Sequence, residues 1–406
     1  MAYRVRSCRT LEEWGQAVAA IGHYAGWVPT EEQVEQFAEL LPPERLHAVF
    51  DGQSIVGGAG AFDFRMSVPG AVVPCSVVTV VGVLPTHRRR GLLSRMMRAQ
   101  LDATHERGEP IAALYASEET IYGRYGYGLA SLRQKVSLTG DRAALSYGTP
   151  LRAGSVRLVD KDEARRTFPR LYDRVRRTTP GFFARSGDWW DLRRLADSAE
   201  SRGDAGPLNY ALAEIDDRPV AYALYRIAQK EEDAGWKRRL HIIEALGADT
   251  LGTREIWRFL LEIDWIHEIR ASLLPVDHPL FHLVARPDSL NLRTETGLWV
   301  RLVDVGAALS ARKYAADARV TFEVADPFGP WNAGTWTLEG DTVRRSRRRA
   351  DLRLGVTALG SAYLGGFSFR ELAAAGLVEE FSRGAVARAD AVFAPIGPAP
   401  WCPEIF

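Results

Sequence analysis

Cysteine is scarce in this chain of 406 residues, which contains only Cys8, Cys75 and Cys402. The three are odd in number, widely spaced and without a Cys-x-x-Cys pair, so the sequence argues against both a disulfide framework and a zinc site. Residues 1–6 also lack the apolar stretch of a signal peptide. These absences favour a reducing compartment, and we expect a cytoplasmic protein without a metal cofactor.

The chain also lacks an excess of charge of one sign. Lys and Arg number 52 against 51 Asp and Glu, a net charge of +1 that gives no overall field for gathering nucleic acid or an anionic membrane. The most apolar run, residues 71–84, is interrupted by Pro74, Ser76 and Thr79 and is too short to span a bilayer. The arginine cluster at residues 344–349 has no interleaved aromatic residues, so we interpret it as a solvated strand or turn, with phosphate binding as the alternative. We expect neither a nucleic-acid nor a membrane partner.

The first apolar patterns predict a mixed sheet with a crossover helix. Residues 48–64 indicate two antiparallel strands joined by the Asp-Gly pair at residues 51–52, which suits a hairpin turn with positive φ. An apolar strand over residues 77–83 is followed by an amphipathic helix over residues 92–108 and a strand over residues 111–116. This order is typical of a parallel βαβ unit.

Glycine and proline punctuate the pattern just before residue 151, so we predict a first domain at residues 1–150. A second domain at residues 151–297 repeats the order, with a hairpin over residues 210–227 followed by a strand and a helix. Residues 251–254 stand before that helix but lack the basic, glycine-containing pattern of residues 88–91. We interpret the second domain as a similar fold without a cofactor site.

Residues 77–93 carry the clearest chemical pattern, a strand followed by a basic turn and a helix start. The first turn of a helix presents unpaired N–H groups and the positive end of the helix dipole, so a pyrophosphate there is both hydrogen-bonded and charge-compensated. Gly91 allows a close backbone approach, and Arg88, Arg89 and Arg90 add positive charge that suits a cofactor with a pyrophosphate and a ribose phosphate. An ordinary basic helix entry on a buried strand is the alternative.

Gly82 interrupts an otherwise β-branched strand, which predicts a bulge or a close backbone approach. If this strand splays from its neighbour at residues 111–116, its freed N–H and C=O groups can pair with a pantetheine arm as a pseudo-strand. The same groups can polarise a thioester carbonyl.

These motifs resemble the GNAT consensus Gln/Arg-x-x-Gly-x-Gly/Ala, met by Arg88 and Gly91, with Leu93 in place of the small residue. That departure, within Pro-Thr-His-Arg-Arg-Arg-Gly-Leu-Leu, is similar to the enhanced intracellular survival (Eis) family of actinobacterial aminoglycoside acetyltransferases. The resemblance covers essentially the whole chain. It implies an α+β protein with tandem GNAT folds, mixed sheets flanked by helices, and acetyl-CoA as co-substrate. The implied acetyl-CoA contacts are Val81, Gly82, Val83, Arg88, Arg89, Arg90, Gly91, Leu92, Leu93, Ser94, Ser117 and Glu118.

Three tyrosines, Tyr122, Tyr125 and Tyr127, follow the strand over residues 111–116. A phenol can protonate a departing CoA thiolate, because the pKa values of the two groups lie within roughly two units of each other. The residues alone do not rank the three tyrosines. The family resemblance implies that Tyr122 is the general acid and that the other two are packing residues.

The nearest histidines, His87 in the basic turn and His105 late on the helix, are poorly placed to deprotonate the acceptor amine. The resemblance implies that the main-chain carboxylate of Phe406 is the catalytic base, acting through a water or as an electrostatic anchor. The apolar tail fits this role, and a terminus merely docked in the core is the alternative. Relatives carry an acid directly before the final Phe, whereas this chain has Ile405 there and Glu404 one residue earlier. Glu404, Glu118 or an ordered water would be the next candidates for the base.

The last part of the chain, residues 298–406, resembles a sterol-carrier domain through the segments 359–366 and 389–393. His278 and His282 stand four apart, but a proline between them and the lack of a third nearby ligand argue against a metal pair. Four aromatic residues of the N-terminal segment are candidates to wall the acceptor site, with core packing as the alternative: Trp14, Tyr24, Trp27 and Phe37.

The implied reaction transfers an acetyl group from acetyl-CoA to a primary amine of a cationic acceptor, of aminoglycoside, lysine or polyamine type. The amine attacks directly, through a tetrahedral intermediate. Two alternatives stay open: a GNAT-fold acyltransferase with a dedicated natural amine, and a lipid-binding protein that acts through the sterol-carrier-like part. The implied partners are a small-molecule or peptide amine and further copies of the chain, arranged as a homo-hexamer.

Overall fold

The computed structural model describes residues 3–140, 143–146, 153–232 and 235–406. The strands in chain order are β1 Arg4–Ser7, β2 Leu46–Asp51, β3 Ser54–Val68, β4 Ala71–Val83, β5 Ile111–Tyr115, β6 Gly128–Leu129, β7 Leu132–Thr139, β8 Ser155–Val159, β9 Asn209–Ile215, β10 Arg218–Glu232, β11 Gly235–Gly247, β12 Glu268–Leu274, β13 Arg293–Thr296, β14 Leu298–Leu302, β15 Val320–Ala325, β16 Gly334–Glu339, β17 Thr342–Arg345, β18 Leu352–Gly355 and β19 Val378–Glu380.

The helices in chain order are α1 Leu11–Ala25, α2 Glu31–Leu40, α3 Leu92–Glu106, α4 Glu119–Tyr122, α5 Lys161–Arg176, α6 Gly187–Trp189, α7 Ala199–Arg202, α8 Thr250–Leu261, α9 Leu280–Leu283, α10 Val305–Ala311, α11 Val356–Tyr363, α12 Phe369–Ala374 and α13 Ala385–Phe393. Within the described ranges, none of these helices is long and apolar enough to cross a bilayer.

The chain forms two compact units. The first comprises Met1–Ser131, Gly297–Pro400 and Ile405–Phe406, and the second comprises Leu132–Thr296 and Trp401–Glu404. The predicted domain boundaries at residues 150 and 297 stay predictions, and the first of them lies outside the described residues.

The first unit contains a seven-stranded sheet in the order β1-β2-β3-β4-β5-β14-β6. Strands β2 and β3 form the predicted antiparallel hairpin, in which Asp51 pairs with Ser54 and Gly52 has a φ of 62°. Strands β4 and β5 are parallel, and α3 connects them, which confirms the predicted βαβ unit. Helix α3 buries Met96 and Met97 on its sheet-facing side because apolar residues recur there at helical spacing.

The same unit contains the five-stranded sheet β17-β16-β15-β18-β19, whose interior is aromatic. The ring of Phe322 on β15 stacks on Phe369 of α12 at 5.7 Å between centroids. Phe393 of α13 packs on Phe369 at 5.0 Å and on Phe322 at 6.0 Å. All three side chains are buried, so aromatic rings fill the space between sheet and helices at this point.

The second unit contains the sheet β13-β7-β12-β11-β10-β9-β8. The predicted hairpin is formed by β9 and β10, and β11 is parallel to β12 across α8. The expectation that residues 251–254 precede this helix was wrong, because they lie in its first turn. Asp249 is the N-cap, and its carboxylate accepts a hydrogen bond from Gly252 N at 2.7 Å, which starts the helix earlier than expected.

Candidate active site

A fork between β4 and β5 opens the sheet of the first unit. The ladder between the two strands contains only three pairs and ends where Val77 faces Ala113. Beyond this point β4 runs on to Val83 beside β3, whereas β5 ends at Tyr115 beside β14. The two strands therefore part. This is the splaying that the sequence analysis required for a pantetheine arm to pair with β4.

A bulge bends β4 along the edge of this fork. It lies at Val80, which has a φ of 46°, and the register with β3 shifts at the same place. Gly82 is instead a position of close approach, because a Cβ built there would lie 2.9 Å from the Cα of Ile21 on α1. Tyr24 Oη at the end of the same helix donates a hydrogen bond to Val83 O at 2.6 Å. Gly82 thus fits the second of the two roles predicted for it.

The basic turn after β4 folds back on itself through two left-handed residues, Arg89 with a φ of 62° and Gly91 with a φ of 72°. Gly91 is the N-cap of α3 and has no side chain to cap the N–H groups of the first helical turn. Alternating backbone conformations of this kind make concave anion-binding surfaces, and the exposed guanidinium groups of Arg88 and Arg89 add positive charge. The residues present therefore fit a pyrophosphate-bearing ligand.

The other residues predicted to contact acetyl-CoA in this region differ in how accessible they are to a ligand. Arg90 donates to the hydroxyl of Tyr3 and to Thr86 O, so its guanidinium is held against the protein. The side chain of Leu92 is buried, so it is not available to a ligand. Ser94 is exposed on the first turn of α3, and Val81, Val83 and Leu93 are half-buried.

The three tyrosines after β5 are all buried. Tyr122 is the last residue of α4 and is 6% exposed. Burial, and to a lesser degree Tyr125, raises the pKa of Tyr122 to about 12. Its ring packs edge-to-face on Tyr127 at 6.1 Å between centroids. Tyr125 makes a contact that the sequence did not indicate, a hydrogen bond of 3.0 Å between its hydroxyl and that of Ser94.

The residues between β5 and Tyr122 start the short helix α4. Ser117 and Glu118 are exposed, directly beyond the end of the strand. Glu118 is the N-cap of α4, and its carboxylate accepts hydrogen bonds from Thr120 N at 3.3 Å and Thr120 Oγ1 at 2.7 Å. These hydrogen bonds hold the pKa of Glu118 below its usual value.

The C-terminal residue lies at the same strand end. The ring of Phe406 packs edge-to-face on that of Tyr115, the last residue of β5, with the centroids 5.6 Å apart. Phe406 is half-buried. The structure thus brings the C-terminus to the end of the strand that precedes the tyrosine loop.

Comparisons with known proteins agree with this geometry. Acetyltransferase (GNAT) domain models match residues 5–130 and 181–302, and a sterol carrier protein domain model matches residues 305–403. An uncharacterized N-acetyltransferase of Streptomyces avermitilis is 40% identical, over 94% of each chain. The N-acetyltransferase Eis of Mycobacterium tuberculosis is 34% identical, over 95% of each chain. The chain belongs to the Eis family of GNAT acetyltransferases.

Solved structures agree with this membership. Eis1 from Mycobacterium abscessus is 32% identical and superposes with a TM-score of 0.86, covering 100% of both chains. A GCN5-related N-acetyltransferase from Anabaena variabilis has a TM-score of 0.85 at 20% identity, which supports the fold. The predicted fold class, tandem GNAT domains followed by a sterol-carrier-like domain, is confirmed, and the protein is an acetyltransferase.

In this Eis-family chain, Glu404 is a buried counter-ion in the second unit. Its carboxylate accepts hydrogen bonds from Arg185 Nε and, at 2.7 Å, from Arg194 Nη2. Arg185 also donates to Glu244 at 2.9 Å, and Tyr222 donates to the same carboxylate at 2.5 Å. Burial alone would raise the pKa of Glu244, but the two guanidinium groups and these hydrogen bonds hold it below its usual value. Glu404 is therefore fully engaged and is poorly suited to act as the alternative base.

The sequence did contain a signal for this cluster. Arg185 and Arg194 lie within an apolar, aromatic segment, and an arginine in such surroundings needs a buried acid. The guanidinium of Arg185 lies 3.8 Å from the ring centroid of Tyr172. Only the tertiary structure identifies the acid as Glu404.

The N-terminal aromatic residues divide into two pairs. Trp14 is fully buried, donates from Nε1 to Leu41 O at 2.8 Å and packs on Phe37 at 5.3 Å, so this pair belongs to the core. Tyr24 is exposed and Trp27 is half-buried, so these two stay candidates for the acceptor site.

Three histidines that the sequence analysis considered, His87, His105 and His278, each contact another residue of the protein. His105 stacks on Trp331 at 4.5 Å, and His87 Nε2 lies 3.4 Å from Asp51 Oδ2. His278 accepts a hydrogen bond from Leu280 N, and burial lowers its pKa to about 3. Across the described ranges no group of three or more metal-ligating side chains is present.

Proposed function

We propose that this Eis-family enzyme transfers the acetyl group of acetyl-CoA to a primary amine of a cationic acceptor, of aminoglycoside, lysine or polyamine type. The observation that supports this best is the β4–β5 fork. It opens beside the basic turn, and both Tyr122 and Phe406 belong to the unit that contains it. A binding groove, a phosphate cradle, an acid and a carboxylate are thereby available in one unit.

The groove residues have separate tasks in this proposal. Acetyl-CoA would supply the acetyl group as a thioester. The parted edge of β4 at Val81 to Val83 would pair with an extended amide-containing arm. Arg88, Arg89 and the N–H groups of the first turn of α3 would hold phosphate groups. Ser117 and Glu118, which follow β5, would line the side of the groove opposite β4.

Tyr122 would act as the general acid. Because burial raises its pKa to about 12, its Oη keeps the proton throughout the neutral range. The phenol is therefore protonated and available as a donor, but its raised pKa makes it a weaker acid than a free phenol. The proton would have to move to the thiolate as the C–S bond breaks.

The carboxylate of Phe406 would receive the proton of the acceptor ammonium group. An α-carboxyl group has a pKa of about 3.5, so it is negatively charged at neutral pH and attracts a cation. It is a weak base, and we propose that it acts through an ordered water. The engagement of Glu118 in a helix cap and of Glu404 with two arginines supports Phe406 over either side chain.

The aromatic interior of the sterol-carrier-like part supports acetyl transfer over lipid carriage. Phe322, Phe369 and Phe393 pack on one another between the five-stranded sheet and helices α12 and α13. A lipid would have to displace these buried rings from a close-packed core.

The test is release of CoA thiol from acetyl-CoA in the presence of aminoglycosides, polyamines and lysine peptides. We expect Tyr122→Phe to lower turnover roughly ten- to ten-thousand-fold with nearly unchanged acetyl-CoA affinity, as for loss of a general acid. Tyr210→Phe in the second unit is the matched control and should keep wild-type turnover. Wild-type turnover in Tyr122→Phe would remove Tyr122 from the mechanism, and inactivity with every amine would refute the acceptor class.

A further inference from the structure

Within the first unit, the loop that carries Tyr122 is enclosed by β14 and by residues of the sterol-carrier-like part, which the family model matches over residues 305–403. Strand β14 pairs with β5 before the loop, where Leu298 faces Tyr115, and with β6 after it, where Val300 faces Gly128. One strand thus holds both ends of the segment between β5 and β6. This strand lies much later in the sequence than the loop whose ends it holds.

Helix α11 packs directly on the second end of the loop. A Cβ at Gly128 would overlap Thr357 O and Ser361 Oγ, so no side chain fits between helix and strand. A Cβ at Gly360 of α11 would likewise overlap Val300 O on β14. Thr357 Oγ1 also donates to Gly123 O at 3.4 Å, directly after Tyr122. The helix therefore contacts the loop at the backbone.

Arg301 on β14 supports the middle of the loop. Its side chain is fully buried, and a Cβ at Gly126 would lie 2.8 Å from its Cζ and Nη1. Nη2 donates to Asp326 Oδ2 at 2.6 Å. Nε and Nη1 are buried and, among the described residues, have no hydrogen-bond partner. A buried charge that is only partly paired destabilises the folded protein. Stability therefore does not explain why an arginine lies against this loop.

Phe328 supports the loop from a third direction. Its ring packs on Tyr125 at 5.0 Å between centroids, and the guanidinium of Arg98 on α3 lies 3.9 Å from the Phe328 centroid. Tyr125 in turn bonds Ser94 on the first turn of α3. The loop is thus held between the helix of the basic turn and the sterol-carrier-like part.

We propose that Arg301 is a positioning residue for Tyr122, and that β14 and the sterol-carrier-like part together serve the enzyme as a brace for its general acid. The brace comprises Arg301, Phe328 and Thr357. This inference rests on the proposed role of Tyr122. Misplacing a catalytic group by about 1 Å can lower the rate about a hundredfold. The gain in rate from a correctly placed acid would therefore offset the stability that the buried charge of Arg301 costs.

The test is a double-mutant cycle between Arg301→Met and Tyr122→Phe in the full-length enzyme, with turnover and KM for acetyl-CoA as readouts. We expect Arg301→Met to lower kcat about ten- to a hundredfold with KM unchanged, because it acts on placement of the acid. In the Tyr122→Phe background the same change should lower kcat less than about twofold, because there is no acid left to position.

Arg312→Met is the matched control. Arg312 is equally buried in the same unit, but it donates to Tyr363 O and lies against Phe393. It should reduce the melting temperature to a similar extent and leave kcat within about threefold. If Arg301→Met does not fold, the double change of Arg301→Met with Asp326→Asn neutralises the buried pair, and the same cycle is measured with it.

Each outcome decides between the two proposals. Equal losses of kcat from Arg301→Met in both backgrounds would overturn the brace alone, because Tyr122 would then act independently of Arg301. An equal loss from Arg312→Met would also overturn it, because generic destabilisation would explain the effect. Wild-type turnover in Tyr122→Phe would overturn the general-acid proposal and, with it, the brace.

Discussion

Glu404 belongs to a buried group of four charged side chains, and replacing it with glutamine tests how strongly this group stabilises the second unit. The exposed fractions are 0% for Arg185, 1% for Glu244, 4% for Glu404 and 12% for Arg194. Two guanidinium groups and two carboxylates balance one another. Glutamine keeps the shape of Glu404 and removes one negative charge, which leaves two cations facing one anion in the interior.

The expected loss follows from this burial. Removing one partner of a buried ion pair costs about 3–5 kcal/mol, because the remaining charge is desolvated without compensation. Glu244 still accepts hydrogen bonds from Arg185, so we expect the lower end, about 3 kcal/mol. For a unit of this size each kcal/mol lowers the melting temperature by about 2–4 °C, so the shift should be about 6–12 °C.

The assay is thermal unfolding of the full chain, with Glu163→Gln as the control. Glu163 pairs with Arg157 at 2.6 Å in the same unit, but the two side chains are 31% and 44% exposed. Such a surface pair contributes at most about 1 kcal/mol and weakens with added salt, whereas the buried group should be nearly salt-independent. A shift for Glu404→Gln no larger than that for Glu163→Gln would refute the reasoning.

Three further predictions concern the cofactor, the C-terminus and pH. Replacing Arg88 and Arg89 with Ala should weaken binding of CoA more than binding of its dephospho analogue, because these residues supply charge-assisted phosphate contacts; calorimetry measures both, and equal affinities before and after the change would contradict it. Adding one residue after Phe406 moves the terminal carboxylate by about 3.5 Å and should abolish turnover without lowering the melting temperature; full activity of a C-terminally tagged enzyme would rule the carboxylate out. Burial lowers the pKa of His47 to about 4, so the folded state binds its proton less tightly than the unfolded state, and the stability this provides above pH 6.5 is lost as the pH falls towards 4. Between pH 7 and pH 4.5 the free energy of unfolding of His47→Gln should therefore fall by about 2–3 kcal/mol less than that of the wild type, as measured by denaturant unfolding at both pH values; an equal fall would show that His47 does not contribute.

Local patterns in the sequence determined the first hairpin, the βαβ unit and the basic turn. The turn pair at residues 51–52, the apolar spacing of α3 and the left-handed glycine before it act through neighbours close in the chain. Such features can be predicted because their partners lie within a few residues. The same reasoning identified the tyrosine loop. It did not show which of the three tyrosines is the general acid, because the pKa and accessibility of each phenol depend on its surroundings in the fold.

The tertiary structure decided where the sheet opens and what holds the site. Strand β14 reaches the other edge of β5 from far along the chain, and β4 parts from β5 beyond Val77. The bulge lies at Val80, whereas Gly82 is where α1 packs closely on β4. Glu404 met Arg185, and Arg301 met Gly126, through contacts between residues distant in sequence. No local pattern encodes these pairs, because burial selects the partner of a charge or a glycine only after the chain has folded.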